Sequence, residues 1–221
     1  MDIIGYIHIC QKGNWKKSFE MLINCIKQTN LYENTKVIRL GIVNDDGIII
    51  NDEILKDPIF DIIYVGKSLE YERPTLLHMR KKSEEEENTN YFYLHTKGIS
   101  HFGNKNEQPV IDWINLMLYW NIEHWKLAVE KLKIYDTYGC NYCGTGKKHY
   151  SGNFWWSKNN YIRKLSNKIG PLYNDPENWI LTFPKNNKYT VYNSGHQGKG
   201  KGFGHYAHPF PREEYVNIDP L

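Results

Sequence analysis

Four stretches of this sequence join residue types that could do chemistry. The first is His95-Thr96-Lys97-Gly98, which follows directly on the apolar run Tyr91-Phe92-Tyr93-Leu94. In open α/β sheets, ligands gather beyond the carboxyl ends of the strands. There a lysine neutralises a phosphate, a threonine hydroxyl bonds it, and a glycine lets the backbone come close. The same tetrapeptide also fits a plain strand-to-loop turn with a solvated lysine. The second stretch, 195–205, interleaves five glycines with Lys199, Lys201, His196 and His205. Such backbone can curl its N–H groups around a diphosphate while the lysines supply charge; a mobile surface loop is the plainer use.

The third stretch, His149-Tyr150-Ser151-Gly152-Asn153-Phe154-Trp155-Trp156, sets a small polar turn before three apolar rings. Ser151 and Asn153 offer hydroxyl and amide groups of the kind that bind sugars, and tryptophan faces stack on pyranose rings; a buried strand is the alternative. The fourth, Asn174-Asp175-Pro176-Glu177-Asn178-Trp179, places two carboxylates at a proline-fixed turn. Such a carboxylate could serve as a general base, or Asp175-Pro176-Glu177 could be a helix cap, a first-turn proline and a dipole-favoured acid. Cys140-x-x-Cys143 lacks a second Cys/His pair at zinc-finger spacing. The Walker pattern, GxSxG and HExxH are all missing, which leaves P-loop, α/β-hydrolase and zincin chemistry without support.

The elements that must position these residues alternate. Strands are expected at 3–10, 36–43, 60–66 and 91–94, with a helix at 14–28 carrying Phe19, Leu22, Ile23 and Ile26 at three-to-four spacing. A second helix opens at Arg73-Pro74-Thr75 and decays into the acidic run 84–87. A long amphipathic helix is expected over 112–133, with the stripe Trp113, Met117, Trp120, His124 and Leu127. Beyond Gly139 the chain turns rich in glycine and aromatics. Strands separated by helices argue for an α/β nucleotide-binding unit followed by a substrate-shaping part of the same domain.

Composition sets the bounds. With 221 residues, 40% hydrophobic and 24% charged, the chain has the make-up of a folded soluble protein of one domain. No apolar run approaches the roughly 20 residues of a membrane span. The start carries no secretory signal pattern and four cysteines are too sparse for a disulfide scaffold, so a cytoplasmic chain with reduced thiols is expected. A formal net charge of +3, with an acidic run at 84–87, is a poor electrostatic footprint for nucleic acid.

The blocks Tyr71-Glu72-Arg73-Pro74-Thr75-Leu76, Tyr93-Leu94-His95-Thr96-Lys97-Gly98, Asp112-Trp113 through Met117, His149 through Trp156 and Glu177-Asn178-Trp179-Ile180 together resemble small GT-A glycosyltransferases. Such domains occur in large DNA viruses and bacteria and are distantly similar to rhamnan-synthesis F proteins. The resemblance implies one Rossmann-like GT-A domain over 1–221 with a mixed central sheet flanked by helices. Residues 1–110 would form the nucleotide-sugar half and 111–221 the acceptor and catalytic half. It further implies transfer of a sugar from a nucleoside-diphosphate sugar, UDP above all, to a hydroxyl on a glycan acceptor, in the host cytoplasm if the chain is viral. His8, Ile9 and Cys10 would line the nucleotide pocket with His95, Thr96, Lys97, Gly98, Lys199 and Lys201. His149, Ser151, Gly152, Asn153, Trp155 and Trp156 would face the sugar or acceptor. His95-Thr96-Lys97 stands where such enzymes usually carry Asp-x-Asp, the divalent-cation motif. Either an ion is held differently, by His95 or His205, or Lys97 and the glycine-lysine loop neutralise the diphosphate directly. An inverting reaction needs one carboxylate base, Glu177 by first choice and Asp112 by second. A non-catalytic glycan-binding module is the competing expectation, favoured by seven tryptophans and seventeen tyrosines.

Overall fold

The computed structural model describes residues 1–195 and 204–221; residues 196–203 of the glycine-rich stretch, with His196, Lys199 and Lys201, lie outside the described residues. The chain forms β1 (Asp2–Cys10), α1 (Trp15–Gln28), α2 (Leu31–Asn34), β2 (Val37–Asn44), β3 (Phe60–Lys67), α3 (Arg73–Lys82) and β4 (Thr89–His95) in its first half. The second half adds α4 (Glu107–Leu118), α5 (Trp125–Lys131), β5 (Thr137–Gly139), β6 (Tyr142–Cys143), β7 (His149–Tyr150) and β8 (Trp155–Lys158). The short helices α6 (Asn159–Ile162) and α7 (Asp175–Trp179) and the strand β9 (Lys188–Thr190) follow.

Seven strands make one sheet in the order β3-β2-β1-β4-β8-β5-β9. β8 runs against its neighbours β4 and β5, and the other pairings are parallel. β1 is buried along nearly its whole length because both of its faces are covered, as a central parallel strand requires. Ile7 and Ile9 point into a core built on α1, α4 and α5, while Ile4 and Tyr6 point into a second core with Leu76 and Met79 of α3. α3 can lie close on the sheet because residue 41 is glycine: a Cβ there would stand 1.9 Å from the Thr75 hydroxyl oxygen. That approach brings Thr75 Oγ1 to 2.9 Å from His8 Nδ1.

The acidic run 84–87 is not merely solvated. Glu86 accepts from Arg39 at 2.5 Å and from the Tyr91 hydroxyl at 2.6 Å, and Arg39 also donates to the Tyr6 hydroxyl at 2.6 Å. This paired cluster closes the end of the sheet opposite the strand carboxyl ends.

The helix expected over 112–133 is overturned in two ways. It begins at Glu107, with Pro109 in its first turns, and it is broken at Tyr119–Glu123 by a π turn. His124 N–H bonds the Tyr119 carbonyl at 3.1 Å, one residue further back than an α-helix allows. Side chains take up the displaced carbonyls. Asn121 Nδ2 donates to Met117 at 2.9 Å, the Tyr138 hydroxyl to Trp120 at 2.8 Å, and Trp156 Nε1 to Asn121 at 2.7 Å. No described helix is long and apolar enough to cross a membrane.

Candidate functional site at the strand ends

β1 has β2 on one side and β4 on the other, because the chain winds outward through β2 and β3 and then crosses back past β1 to β4. A crevice forms at such a switch point, beyond the strand carboxyl ends. A cavity of about 340 Å³ opens there. The end of β1 brings His8, Cys10 and Lys12; the end of β4 brings His95, Thr96, Lys97 and Gly98. The remaining wall includes Glu72, Tyr71, Tyr173 and Tyr206. The strand-end residues expected from the sequence therefore converge, apart from Ile9. Its side chain is buried in the core on the α1 face, because alternation along β1 sends it away from His8.

Within the cavity the roles differ. Thr96 acts mainly as a tie between strands: its N–H bonds the His8 carbonyl at 2.9 Å and its hydroxyl oxygen accepts the Cys10 N–H at 2.9 Å. The Lys97 carbonyl is fixed by the Ser18 hydroxyl at 3.1 Å. Its ammonium lies 4.3 Å from the Trp113 ring centroid and 5.5 Å from that of Tyr206. Burial opposes the charge, but Tyr206, Glu177 and Glu72 more than offset it, and the Lys97 pKa stands above the ordinary lysine value. A cation is thus held at the mouth of a part-apolar cavity, where it attracts an anion more strongly than it would in water.

His8 and His95 are partners in the β1–β4 register and face the α3 side of the sheet together. Burial pushes both imidazoles down to about 4, with Lys97 adding to the effect at His95. Both are neutral near pH 7. His95 Nε2 lies 2.9 Å from the Gly152 carbonyl, which can only accept, so Nε2 carries the proton.

The Gly152 peptide is the link to the second half of the chain. Its carbonyl takes His95, and its N–H donates to Glu177 Oε1 at 3.0 Å. Gly152 has φ +91°, and a Cβ there would meet Met117 Sδ at 2.2 Å. Gly152→Ala is therefore expected to lower stability by about 1–3 kcal/mol through backbone strain and overpacking, read as a lower denaturant midpoint at unchanged slope. An unshifted midpoint would show that this turn relaxes freely. Next to it Asn153, at φ +59°, donates to Glu72 Oε2 at 2.5 Å and accepts from Trp155 Nε1 at 2.8 Å. The Tyr93 hydroxyl donates to the same Glu72 oxygen at 2.6 Å. Glu72 Oε1 has no partner among the described residues.

Glu177 lines an adjoining cavity of about 570 Å³, together with His149 and Tyr173. Tyr173 belongs to the wall of both cavities. It is set on the rim by Arg73, which donates to the carbonyls of Gly170 and Leu172 at 2.7 Å each, and by an edge-on contact with Tyr71. Tyr71 itself has φ +50°, ψ −143°, a conformation that non-glycine residues rarely adopt.

Several expectations are corrected. Trp155 and Trp156 are fully buried, Trp155 stacked on Tyr93 and Trp156 bonded to the Asn121 carbonyl, so neither can stack on a sugar. They alternate across β8 and fill the cores on either side of the sheet. Asp112 lines neither cavity: Oδ1 accepts from Gln108 at 2.7 Å and Oδ2 from the Phe210 N–H at 3.0 Å, which pins the C-terminal segment to α4. Ser151 also lines neither cavity, its N–H bonding the Asn141 carbonyl at 2.9 Å. Asn174, rather than Asp175, caps α7; Asp175 bonds the Leu172 N–H and Lys147 instead. His205 stacks on Trp113 and lies 3.0 Å from the Ser194 hydroxyl, whereas His95 is turned to Gly152. Among the described residues no three His, Cys, Asp or Glu side chains are grouped to hold an ion. The four cysteines are free thiols.

Glu72, Trp113, Tyr173 and Tyr206 are the site residues that sequence reasoning missed. Glu72 and Trp113 sat inside blocks that carry the resemblance, but Tyr173 and Tyr206 gave no signal beyond general aromatic richness. No protein-family model, curated protein or solved structure matches this chain.

Proposed function

We propose that this chain is a glycosyltransferase that moves a sugar from a nucleoside-diphosphate sugar, UDP-linked above all, to a hydroxyl of a glycan acceptor, in a GT-A-like domain. One observation carries the reading: Lys97 and Glu72 line the switch-point crevice, Glu177 lines the cavity that adjoins it through Tyr173, and both carboxylates act electrostatically on Lys97. A cation beside an acid is what the reaction requires. The diphosphate lies against Lys97 and the strand-end backbone. Glu72, steadied by Tyr93 and Asn153, presents its second oxygen to sugar hydroxyls. The acceptor oxygen enters from the cavity that Glu177 lines and forms a bond to the anomeric carbon as the bond from that carbon to the diphosphate oxygen breaks. The acceptor proton passes to Glu177, and the electron pair leaves with the diphosphate, whose charge Lys97 meets. The mixed seven-stranded sheet with helices on both faces supports the same reading.

A thermal-shift screen of UDP, GDP and dTDP, each with and without manganese, tests it. At a hundredfold excess over Kd, binding adds about 2.7 kcal/mol, which in a chain of this size raises Tm by roughly 5–10 °C. UDP is expected to give that rise. If free glycans shift Tm and no nucleoside diphosphate does in either condition, the chain is a glycan-binding module and the proposal fails.

A further inference from the structure

Beyond Glu177 the surface changes character. The cavity that holds Glu177 adjoins a third one of about 590 Å³, and the two share Lys147, Asp175 and Asn178. Three lysines, Lys147, Lys148 and Lys168, stand around this third cavity over an apolar floor that includes Phe183. Lys147 is paired with Asp175 at 2.7 Å, whereas Lys148 and Lys168 have no ion pair among the described residues. The imbalance extends along the chain. Residues 144–190 contain eight Lys or Arg against two Asp or Glu, a net of +6 in a chain whose total is +3. The rest of the chain is therefore net negative, and three of the eight cations, Lys147, Lys148 and Lys168, line the third cavity, whereas Lys158 is paired with Asp136 outside the segment. Of the two acids, one is bonded to Lys147 and the other is Glu177.

We propose that this basic groove holds an anionic acceptor: a carbohydrate chain bearing carboxylate or phosphate groups, whose charged residues lie against Lys148 and Lys168 while its terminal hydroxyl reaches Glu177. The inference rests on the transferase reading and supplies its acceptor class. Charge complementarity gives the sign of the ligand. The shape gives its kind, because a concavity of this size suits a few sugar units, and a lipid surface or a duplex would meet a broad convex face. Asn178, Thr182 and Asn186 in its wall donate to backbone carbonyls, which leaves their side-chain oxygens to accept from sugar hydroxyls. The continuous run of cavities through Tyr173 and Glu177 gives the direction.

Titration calorimetry on the whole chain, with and without saturating UDP, tests this with hexagalacturonic acid as the carboxylate probe and pentamannosyl 6-phosphate as the phosphate probe. Maltohexaose is the uncharged control. At least one acidic probe is expected to bind at least tenfold more tightly than maltohexaose, with affinity falling between 50 and 200 mM salt, as exposed ion pairing requires. Which of the two binds better names the anionic group. The double variant Lys148→Ser, Lys168→Ser should lose at least tenfold of that affinity while its Tm and its affinity for UDP stay unchanged, since both side chains are exposed and have no ion pair among the described residues. The proposal is overturned if neither acidic probe binds, if maltohexaose binds equally well, or if the double variant binds as the parent does. It is also overturned if a dT oligomer or vesicles of phosphatidylglycerol bind more tightly than either probe. Nucleotide binding separates the two levels: acidic probes failing while UDP binds removes the acceptor class alone, and failure of UDP, GDP and dTDP alike removes the transferase.

Discussion

Glu177→Gln is expected to reduce the single-turnover rate of sugar transfer by roughly 10²–10⁴-fold, the usual contribution of a positioned general base. The substitution is chosen because it keeps the shape. A glutamine carbonyl can still accept the Gly152 N–H that Glu177 Oε1 takes at 3.0 Å, so the link from His95 through the Gly152 peptide to α7 survives. Donor affinity, measured by calorimetry with UDP, should therefore change by less than about threefold, well under 1.4 kcal/mol. Lost binding with preserved turnover would make Glu177 a structural group. Preserved turnover in this variant, with turnover abolished in Glu72→Gln, would transfer the role of base to the carboxylate that lines the first cavity.

Lys97→Ala should leave the fold intact and weaken UDP by about tenfold to a hundredfold, equivalent to roughly 1.4–2.8 kcal/mol, in line with a hydrogen bond to a charged group. The side chain rests on Trp113 and Tyr206 at the cavity mouth, so its removal opens space toward solvent and creates no sealed void. Lost cation–π contact should lower stability by no more than about 1–2 kcal/mol. Uridine, which has no diphosphate, is the control and should bind the variant and the parent equally. An unchanged UDP affinity would take Lys97 out of the phosphate site, and an equal loss for uridine would show that the variant had disturbed the cavity as a whole.

Much of the frame was legible because it follows from periodicity. β1, β2, β3 and β4 lie within one or two residues of the runs read from the sequence, and α1 begins one residue later than expected. Long apolar strands between amphipathic helices leave few alternatives. The strand-end position of His95, Thr96 and Lys97 followed from the same pattern, whereas His8 and Cys10 were placed beside them only by the resemblance. The second half resisted for a physical reason. β5, β8 and β9 are three or four residues long, too short for an alternation to show, and they join the sheet through long-range pairing. Trp155 and Trp156 looked like a sugar platform because burial cannot be read from two adjacent rings. The π turn was hidden because Trp113, Met117, Trp120, His124 and Leu127 keep helical spacing through it. What breaks that helix is the hydrogen-bonding demand of Tyr138 and Trp156, which come later in the chain. Asp112 was plausible by type alone; only the Phe210 N–H shows where it is spent.

The placement of β8 between β4 and β5 limits how such a chain can diversify. The strand that completes the sheet beside β4 arrives from the second half of the chain, and it carries Trp155 and Trp156 into both cores. A fragment cut near residue 110 would leave β4 as a naked edge with its N–H and C=O groups open to any passing strand. The two halves of the sheet are thus inherited as one piece, and new binding preferences must arise by substitution along the cavity walls instead of by shuffling cassettes.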